Sequence, residues 1–287
     1  MKKIYNIIDQ NIMISTNFKY EESQAFNPFL IESDNYDVNF KFINIDNVPK
    51  TLTENLDELY SKNLVKVYRC KYGYLRVYLD LSGNPYGYLE EYTNEKKQYN
   101  VCICLNHKNI DINTFKIFEM IGFESYLYKK NIFILHSSYI KWNEGAILFT
   151  GPSGIGKSTQ ADLWNKYECA EIINGDRSGI IKKDGIWTAY GLPFAGSSKI
   201  YKNVKNPIKC IVVLKQSKNN SIKKLKKLDA FKYIYSQTTI NGWNKEYIDT
   251  IINLIEAFVT DIPVFMLECK PDSTAVELLK ETLMGEI

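Results

Sequence analysis

Residues 151–158 fill every fixed position of the pattern G-x-x-x-x-G-K-[ST]: they are Gly151-Pro152-Ser153-Gly154-Ile155-Gly156-Lys157-Ser158. In such a loop the glycines let the backbone curl, so that successive N–H groups point at phosphate oxygens. The lysine reaches the β- and γ-phosphates, and the following hydroxyl ligates Mg²⁺. An apolar run at 146–150 predicts a strand before the loop, and 158–167 predicts a helix after it, whose positive end faces the anion. Residues Gly151 to Ser158 are therefore expected to bind a nucleoside triphosphate with Mg²⁺.

The chain around this loop alternates between strand and helix patterns. Asp184-Gly185 between two apolar runs indicates a type I′ hairpin. Apolar residues at helical spacing from Ile248 stop before Pro263, and residues 274–277 (TAVE) match a capping box. Strands are predicted at 132–140, 146–150, 179–183, 186–190, 208–215 and 264–269. Residues 106–287 are thus expected to form a mixed α/β nucleotide-binding domain.

Residues 1–105 have a different character, dominated by short β segments. The segments 38–45 and 74–81 are apolar and aromatic, and a turn at 82–85 (SGNP) predicts a hairpin that continues to Tyr88. A helix is predicted next, over about 113–129. We expect a β-rich N-terminal domain over 1–105, followed by the P-loop domain.

Composition excludes several classes of protein. Hydrophobic residues make up 45% and charged residues 24% of the 287, as in ordinary soluble proteins. No apolar run approaches the ~20 residues that span a bilayer, and polar residues interrupt the apolar N-terminal stretch, which argues against a secretory signal. The six cysteines form no C-x-x-C pair and are accompanied by two histidines, so reduced thiols are expected rather than zinc or disulfides. These features predict a cytoplasmic protein without a membrane partner.

The charge pattern gives little support for a nucleic-acid partner. The formal net charge is +3, and the basic run 215–227 (KQSKNNSIKKLKK) contains no aromatic residue that would stack on bases. Runs of this kind usually form a solvated face. We therefore predict no binding of nucleic acid.

A carboxylate follows the next apolar run after the loop. Asp176 directly follows the segment 171–175 (EIING). In phosphoryl transfer, a carboxylate at such a place holds Mg²⁺ or takes the proton of the attacking hydroxyl. The alternative is that Asp176 is only a turn residue in the sequence Asn-Gly-Asp. Arg177 either neutralises phosphate charge or pairs with a surface carboxylate. The loop 191–199 (GLPFAGSSK) either closes over the phosphates or simply connects two strands.

Other P-loop classes fit less well. An ABC-type ATPase needs an LSGG-like signature downstream of the loop, whereas the nearest approximation, at 81–83, lies upstream. A GTPase needs D-x-x-G and then N-K-x-D. Residues 176–179 (DRSG) match the first, but the nearest match to the second, at 165–168 (NKYE), precedes it.

The motifs together resemble the HPr serine kinase/phosphorylase superfamily, which has a PEP-carboxykinase-like P-loop fold. The resemblance is closer to its HPr-kinase-like branch, some members of which phosphorylate serine in peptides. It covers about residues 115–283, and nothing in 1–105 matches a known family. The motifs that carry it are 135–138 (LHSS), 151–159 (GPSGIGKST), 174–177 (NGDR), 191–196 (GLPFAG), 207–214 (PIKCIVVL) and 262–267 (IPVFML).

The resemblance implies roles for individual residues. Residues 151–159 would hold ATP and Mg²⁺, Asp176 would be the general base, and His136 would line the same site. Ser158 and Asp176 would be the metal ligands. The loop from Gly191 departs from the family pattern, and the later arginine- and glycine-containing signature of true HPr kinases is not found. This departure argues against HPr as the substrate and against the reverse reaction.

The expected function is therefore an ATP-dependent, Mg²⁺-requiring serine kinase acting on a peptide or protein, with Asp176, His136, Lys157 and Arg177 in catalysis. The alternative is a nucleotide-binding regulatory module with little or no transferase activity. A PEP-carboxykinase-like lyase is disfavoured because the chain has only His107 and His136 to supply imidazole to a transition metal. Residues 1–105 are expected to recruit the substrate or to build a homo-oligomer.

Overall fold

The chain folds into two bodies of structure. The computed structural model describes residues 1–108 and 110–285. The chain divides into two compact units, Met1–Tyr126 and Leu127–Ile287, called unit 1 and unit 2 below.

Unit 1 is built on one sheet of nine strands, counted over its described residues, in the order β3-β1-β2-β4-β9-β8-β7-β6-β5. The pairs β2–β4 and β4–β9 are parallel and the other neighbours are antiparallel. The abundance of strands in residues 1–105 and the hairpin after β7 are as predicted. The strands are β1 (Lys2–Ile7), β2 (Gln10–Ser15), β3 (Leu30–Ile31), β4 (Val38–Asn44), β5 (Asp57–Lys62), β6 (Val65–Cys70), β7 (Gly73–Leu79), β8 (Pro85–Tyr92) and β9 (Gln98–Ile103).

The single helix predicted over 113–129 is wrong, because two short helices occupy this segment. They are α1 (Thr114–Met120) and α2 (Phe123–Tyr128). Gly122, at φ +57°, adopts the left-handed conformation between them and ends the first helix. Phe118 of α1 packs edge-on against Tyr5 and also contacts Phe26. This packing places the segment after residue 105 in unit 1, so the units divide after Tyr126.

Unit 2 contains a sheet ordered β11-β10-β13-β14-β15-β17-β16, in which β12 also pairs with β10 and β11 with β15. The pairs β11–β15 and β15–β17 are parallel. The strands are β10 (Ile132–Trp142), β11 (Gly145–Thr150), β12 (Glu171–Asn174), β13 (Arg177–Lys183), β14 (Ile186–Gly191), β15 (Lys205–Gln216), β16 (Ser221–Lys224) and β17 (Val264–Cys269). The helices are α3 (Lys157–Glu168), α4 (Lys227–Gln237), α5 (Lys245–Asp261) and α6 (Ser273–Gly285).

Both faces of the unit 2 sheet are covered by helices. Successive residues of a strand point to opposite faces, and along β11 Leu148 joins one apolar cluster while Phe149 joins another. The first cluster contains Ile251 and Phe258 of α5, and the second contains Trp164 of α3. The α/β class is thereby confirmed, while the PEP-carboxykinase-like arrangement stays a prediction.

Of the local predictions in unit 2, the hairpin is confirmed and the capping box is wrong. The type I′ hairpin is confirmed, since Asp184 and Gly185 have φ of +51° and +81°. The capping box is wrong: Thr274 lies inside α6, and its hydroxyl donates to the Asp272 carboxylate (2.6 Å). Helix α4 was not predicted.

Two expectations from composition concern membranes and thiols. Among residues 1–108 and 110–285, no helix combines the length and apolar character needed to cross a lipid bilayer. All six cysteines are free thiols.

Candidate active site

The phosphate-loop motif lies between β11 and α3, which confirms the predicted strand–loop–helix arrangement. Gly151, Gly154 and Gly156 have φ of +143°, +78° and +111°. A Cβ added to Gly154 or Gly156 would meet nothing within 4 Å. The backbone conformation, rather than lack of space, therefore requires glycine at these two positions.

The sheet positions this loop at the carboxyl ends of its parallel strands. Thr150, the last residue of β11, is in register with Val213 near the end of β15. Gln216, at the end of β15, donates from Nε2 to the Gly154 carbonyl (3.4 Å). The Thr150 hydroxyl donates to the His136 carbonyl (2.8 Å), which ties the base of the loop to β10. In open α/β sheets, this edge is where ligands bind.

Lys157 points its amine back into the loop. The side chain is buried, and Nζ donates to the carbonyls of Gly151 (3.0 Å) and Pro152 (3.2 Å). Burial lowers the pKa of Lys157, and the negative charge of Asp176 raises it in partial opposition. Both acceptors are neutral carbonyls, so the geometry leaves the lysine suited to an anionic ligand.

Asp176 lies between two basic side chains. In the β10–β13 register His136 is opposite Arg177, the first residue of β13. The Asp176 carboxylate is 3.2 Å from His136 Nε2 and accepts a longer bond from Arg177 Nε (3.4 Å). The hydrogen bond from His136 and the charges of both neighbours hold the pKa of Asp176 below its ordinary value, although burial opposes them. Asp176 is therefore ionised at neutral pH and available as a metal ligand or proton acceptor.

The turn that presents Asp176 is organised by Asn174, a residue that sequence reasoning did not assign to the site. Asn174 is fully buried, and its Oδ1 accepts the backbone N–H groups of Asp176 (2.8 Å) and Arg177 (2.9 Å). Its Nδ2 donates to the Leu192 carbonyl (2.7 Å). The Asn-Gly-Asp sequence carries a signal for such a turn, because asparagine side chains commonly bond the backbone two residues on.

The loop 191–199 lies against the same turn. A Cβ on Gly196, whose φ is +54°, would stand 3.0 Å from the Asp176 carboxyl carbon. A Cβ on Gly175 would stand 2.1 Å from the Ser198 hydroxyl. The loop therefore borders the carboxylate, and glycine at both positions permits this close approach.

The structure places three of the residues named from sequence, His136, Asp176 and Arg177, in one contact cluster. Of these three, Asp176 also raises the pKa of Lys157 through its negative charge. Ser158 and Thr159 are exposed in the first turn of α3. Within the described part of the chain, no three or more His, Cys, Asp or Glu side chains are grouped to hold a metal ion. The Ser158 hydroxyl and Asp176 carboxylate do offer the hard oxygen ligands that Mg²⁺ takes alongside phosphates.

Comparison with known proteins finds similarity only among solved structures, and it is distant. No family model matches the chain, and no curated protein matches it. The structure of the Hpr(Ser) kinase/phosphatase from Coxiella burnetii is similar over 53% of this chain and 88% of that one, with 13% sequence identity and a TM-score of 0.32. A similarity this distant carries no conclusion about activity or substrate.

Proposed function

We propose that this chain is an ATP- and Mg²⁺-dependent kinase that transfers the γ-phosphate to a hydroxyl, namely a serine of a peptide or protein. The observation that carries the proposal is the contact of the Asp176 carboxylate with His136 and Arg177, in the same α/β unit as the phosphate loop. A phosphate-binding loop together with a positioned carboxylate is the minimum apparatus for transfer to a hydroxyl.

The loop supplies the nucleotide site in this proposal. Its backbone N–H groups and Lys157 would hold the phosphates. Ser158 and Asp176 would supply oxygen ligands for Mg²⁺, which when bound neutralises charge on the phosphate oxygens. Catalysis in phosphoryl transfer comes mainly from such positioning and charge stabilisation.

Asp176 is proposed to receive the proton of the serine hydroxyl. A bond forms between the serine oxygen and the γ-phosphorus, the bond from that phosphorus to ADP breaks, and the proton goes to the carboxylate. A carboxylate with a lowered pKa is a weak base, which suits a loose transition state in which the proton moves late. His136 would position the carboxylate, while Arg177 would lie near developing phosphate charge.

A macromolecular acceptor is supported by the openness of the cluster. The side chains of His136 and Asp176 are 32% and 29% exposed, and Arg177 is more exposed still. A serine on a peptide or protein surface can reach such groups, and we infer that unit 1 either recruits this acceptor or builds an oligomer. We also infer a cytoplasmic location, in keeping with ATP use and free thiols.

The test compares ADP formation by the wild-type chain and Lys157→Ala, with and without a pool of serine-containing peptides. ADP formation that depends on the peptides and on Lys157 would support the kinase. Binding of ATP without peptide-dependent turnover would instead favour the regulatory module.

A further inference from the structure

The positive net charge of this protein depends on one segment, residues 215–227, which we call the basic edge. It contains six lysines and no acidic residue, while the whole chain has a formal net charge of +3. The rest of the chain is therefore net acidic. All six lysines are exposed.

The basic edge begins beside the phosphate loop. Gln216 bonds the Gly154 carbonyl, as described above. The chain then turns into β16, which runs antiparallel to β17 and so away from that end of the sheet. In the described part of unit 2, β16 is the last strand of the sheet order and pairs with β17 alone. No other described strand pairs with β16, so its other side is an edge of the sheet to which an extended chain can add.

Few of these lysines are neutralised within the fold. Lys215 pairs with Glu268 (2.8 Å), and Lys224 lies over the ring of Phe265. The other four, among the residues described, make no ion pair; they are Lys218, Lys223, Lys226 and Lys227. The positive charge of Lys223 lowers the pKa of Glu268, and that of Lys227 lowers the pKa of Asp261. The surface therefore keeps an uncompensated positive charge.

Protection of an open sheet edge accounts for only part of this pattern. Lysines on an edge strand discourage pairing with other chains, and Lys223 and Lys224 suffice for a strand of four residues. Lys218 lies before the strand, and Lys226 and Lys227 lie after it. The charge thus extends along a path longer than the strand it would protect.

We propose that the basic edge docks an acidic, extended segment of the peptide or protein acceptor, which adds alongside β16 while its serine reaches the phosphate loop. This inference rests on the proposed kinase function and specifies its substrate class. Added strands gain affinity from backbone hydrogen bonds and specificity from side chains, and complementary charge steers the encounter. A peptide is favoured over nucleic acid because no aromatic side chain in 215–227 offers a stacking platform for bases.

The experiment measures binding by fluorescence anisotropy in the absence of nucleotide, so that it does not depend on phosphoryl transfer. The probes are a labelled serine peptide with a run of glutamates, the same peptide with glutamines, and a single-stranded oligonucleotide. The test variant is Lys223→Gln/Lys226→Glu/Lys227→Glu. Glutamates at the start of α4 favour that helix, so the variant is expected to fold.

The matched control is Lys166→Gln/Lys232→Glu/Lys245→Glu, which changes charge equally at exposed helical positions of unit 2 outside the basic edge. We expect the full-length wild type to prefer the glutamate peptide, the test variant to lose roughly tenfold in affinity, and the control to lose none. Added salt should weaken the interaction.

Equal affinity for the two peptides, an unchanged test variant, or preference for the oligonucleotide would each overturn the docking proposal. The outcomes also separate it from the kinase proposal. Peptide binding without any transfer would leave docking intact and refute the kinase, whereas transfer without preference for acidic peptides would do the reverse.

Discussion

His136 Nε2 lies 3.2 Å from Asp176 Oδ1, although His136 lies within β10 and Asp176 lies in the turn between β12 and β13. The contact exists because β10 and β13 pair antiparallel, with His136 opposite Arg177 and Asp176 in the turn just before it. The hydrogen bond from His136 lowers the pKa of Asp176 and so favours its ionised form. The roles of these two residues can therefore be separated by mutation.

Asp176→Asn is expected to bind ATP and to lower kcat by at least ~10²-fold, the usual scale for losing a positioned base. The amide keeps the size of the side chain but cannot accept a proton. Binding is measured by calorimetry and kcat by acceptor phosphorylation. Normal turnover in the variant would show that Asp176 is only a turn residue.

His136→Ala is expected to lower kcat less and to shift its pH dependence. The hydrogen bond from His136 is the largest cause that lowers the pKa of Asp176, and burial acts in the opposite direction. Without the imidazole, that pKa rises, so activity is lost at a higher pH as the solution is acidified. A kcat–pH profile whose acid limb does not move would contradict this positioning role.

Lys157→Ala is expected to abolish ATP binding while the fold persists, because among the described residues the amine bonds only two carbonyls of the loop and serves the ligand. Calorimetry with ATP and Mg²⁺ tests this, with Lys166→Ala, an exposed position on the same helix, as the control. Undiminished affinity in the folded Lys157 variant would contradict the phosphate-loop assignment.

Asn174→Ala is expected to cost about 1–3 kcal/mol of unfolding free energy, since buried N–H and C=O groups lose their partner. It should also lower kcat more than ATP affinity, because the turn that presents Asp176 loosens. Denaturant titration and kinetics test both effects. Asn253→Ala, at an exposed position of α5, should change neither.

The fragment 127–287 is expected to keep ATP binding, because His136, Lys157 and Asp176 all lie in unit 2. If unit 1 recruits the acceptor, the fragment shows a raised KM for it in an unchanged oligomeric state. A change of oligomeric state would instead assign unit 1 to assembly. Unchanged KM and oligomeric state together would contradict both roles.

Two local features of unit 2 were predicted correctly from the sequence, because each has a short-range cause. The glycines of the phosphate loop and the Asp184-Gly185 turn need backbone angles that few residues adopt, so their spacing alone identifies them. The helix predicted at 113–129 was too long, because the apolar spacing continues past Gly122. That glycine adopts a positive φ, which ends the first helix.

Contacts that depend on strand pairing and loop packing could not be predicted from the sequence. The contact of His136 with Asp176 follows from the β10–β13 register, and the approach of Gly196 to Asp176 follows from where a loop packs. Asn174 was missed as a positioning residue since its bond to Leu192 joins two segments that only the fold brings together. Helix α4 starts at the end of a lysine-rich run, where side-chain periodicity is weak.

The most direct test of the proposed serine kinase activity follows the γ-phosphate itself. ATP labelled with heavy oxygen in that group is incubated with Mg²⁺, a serine-peptide library and either the wild type or Asp176→Asn, and the peptides are analysed by mass spectrometry. We expect heavy phosphate on serine with the wild type and almost none with the variant. Heavy phosphate found only as the free ion, or bound ATP that is never consumed, would contradict it.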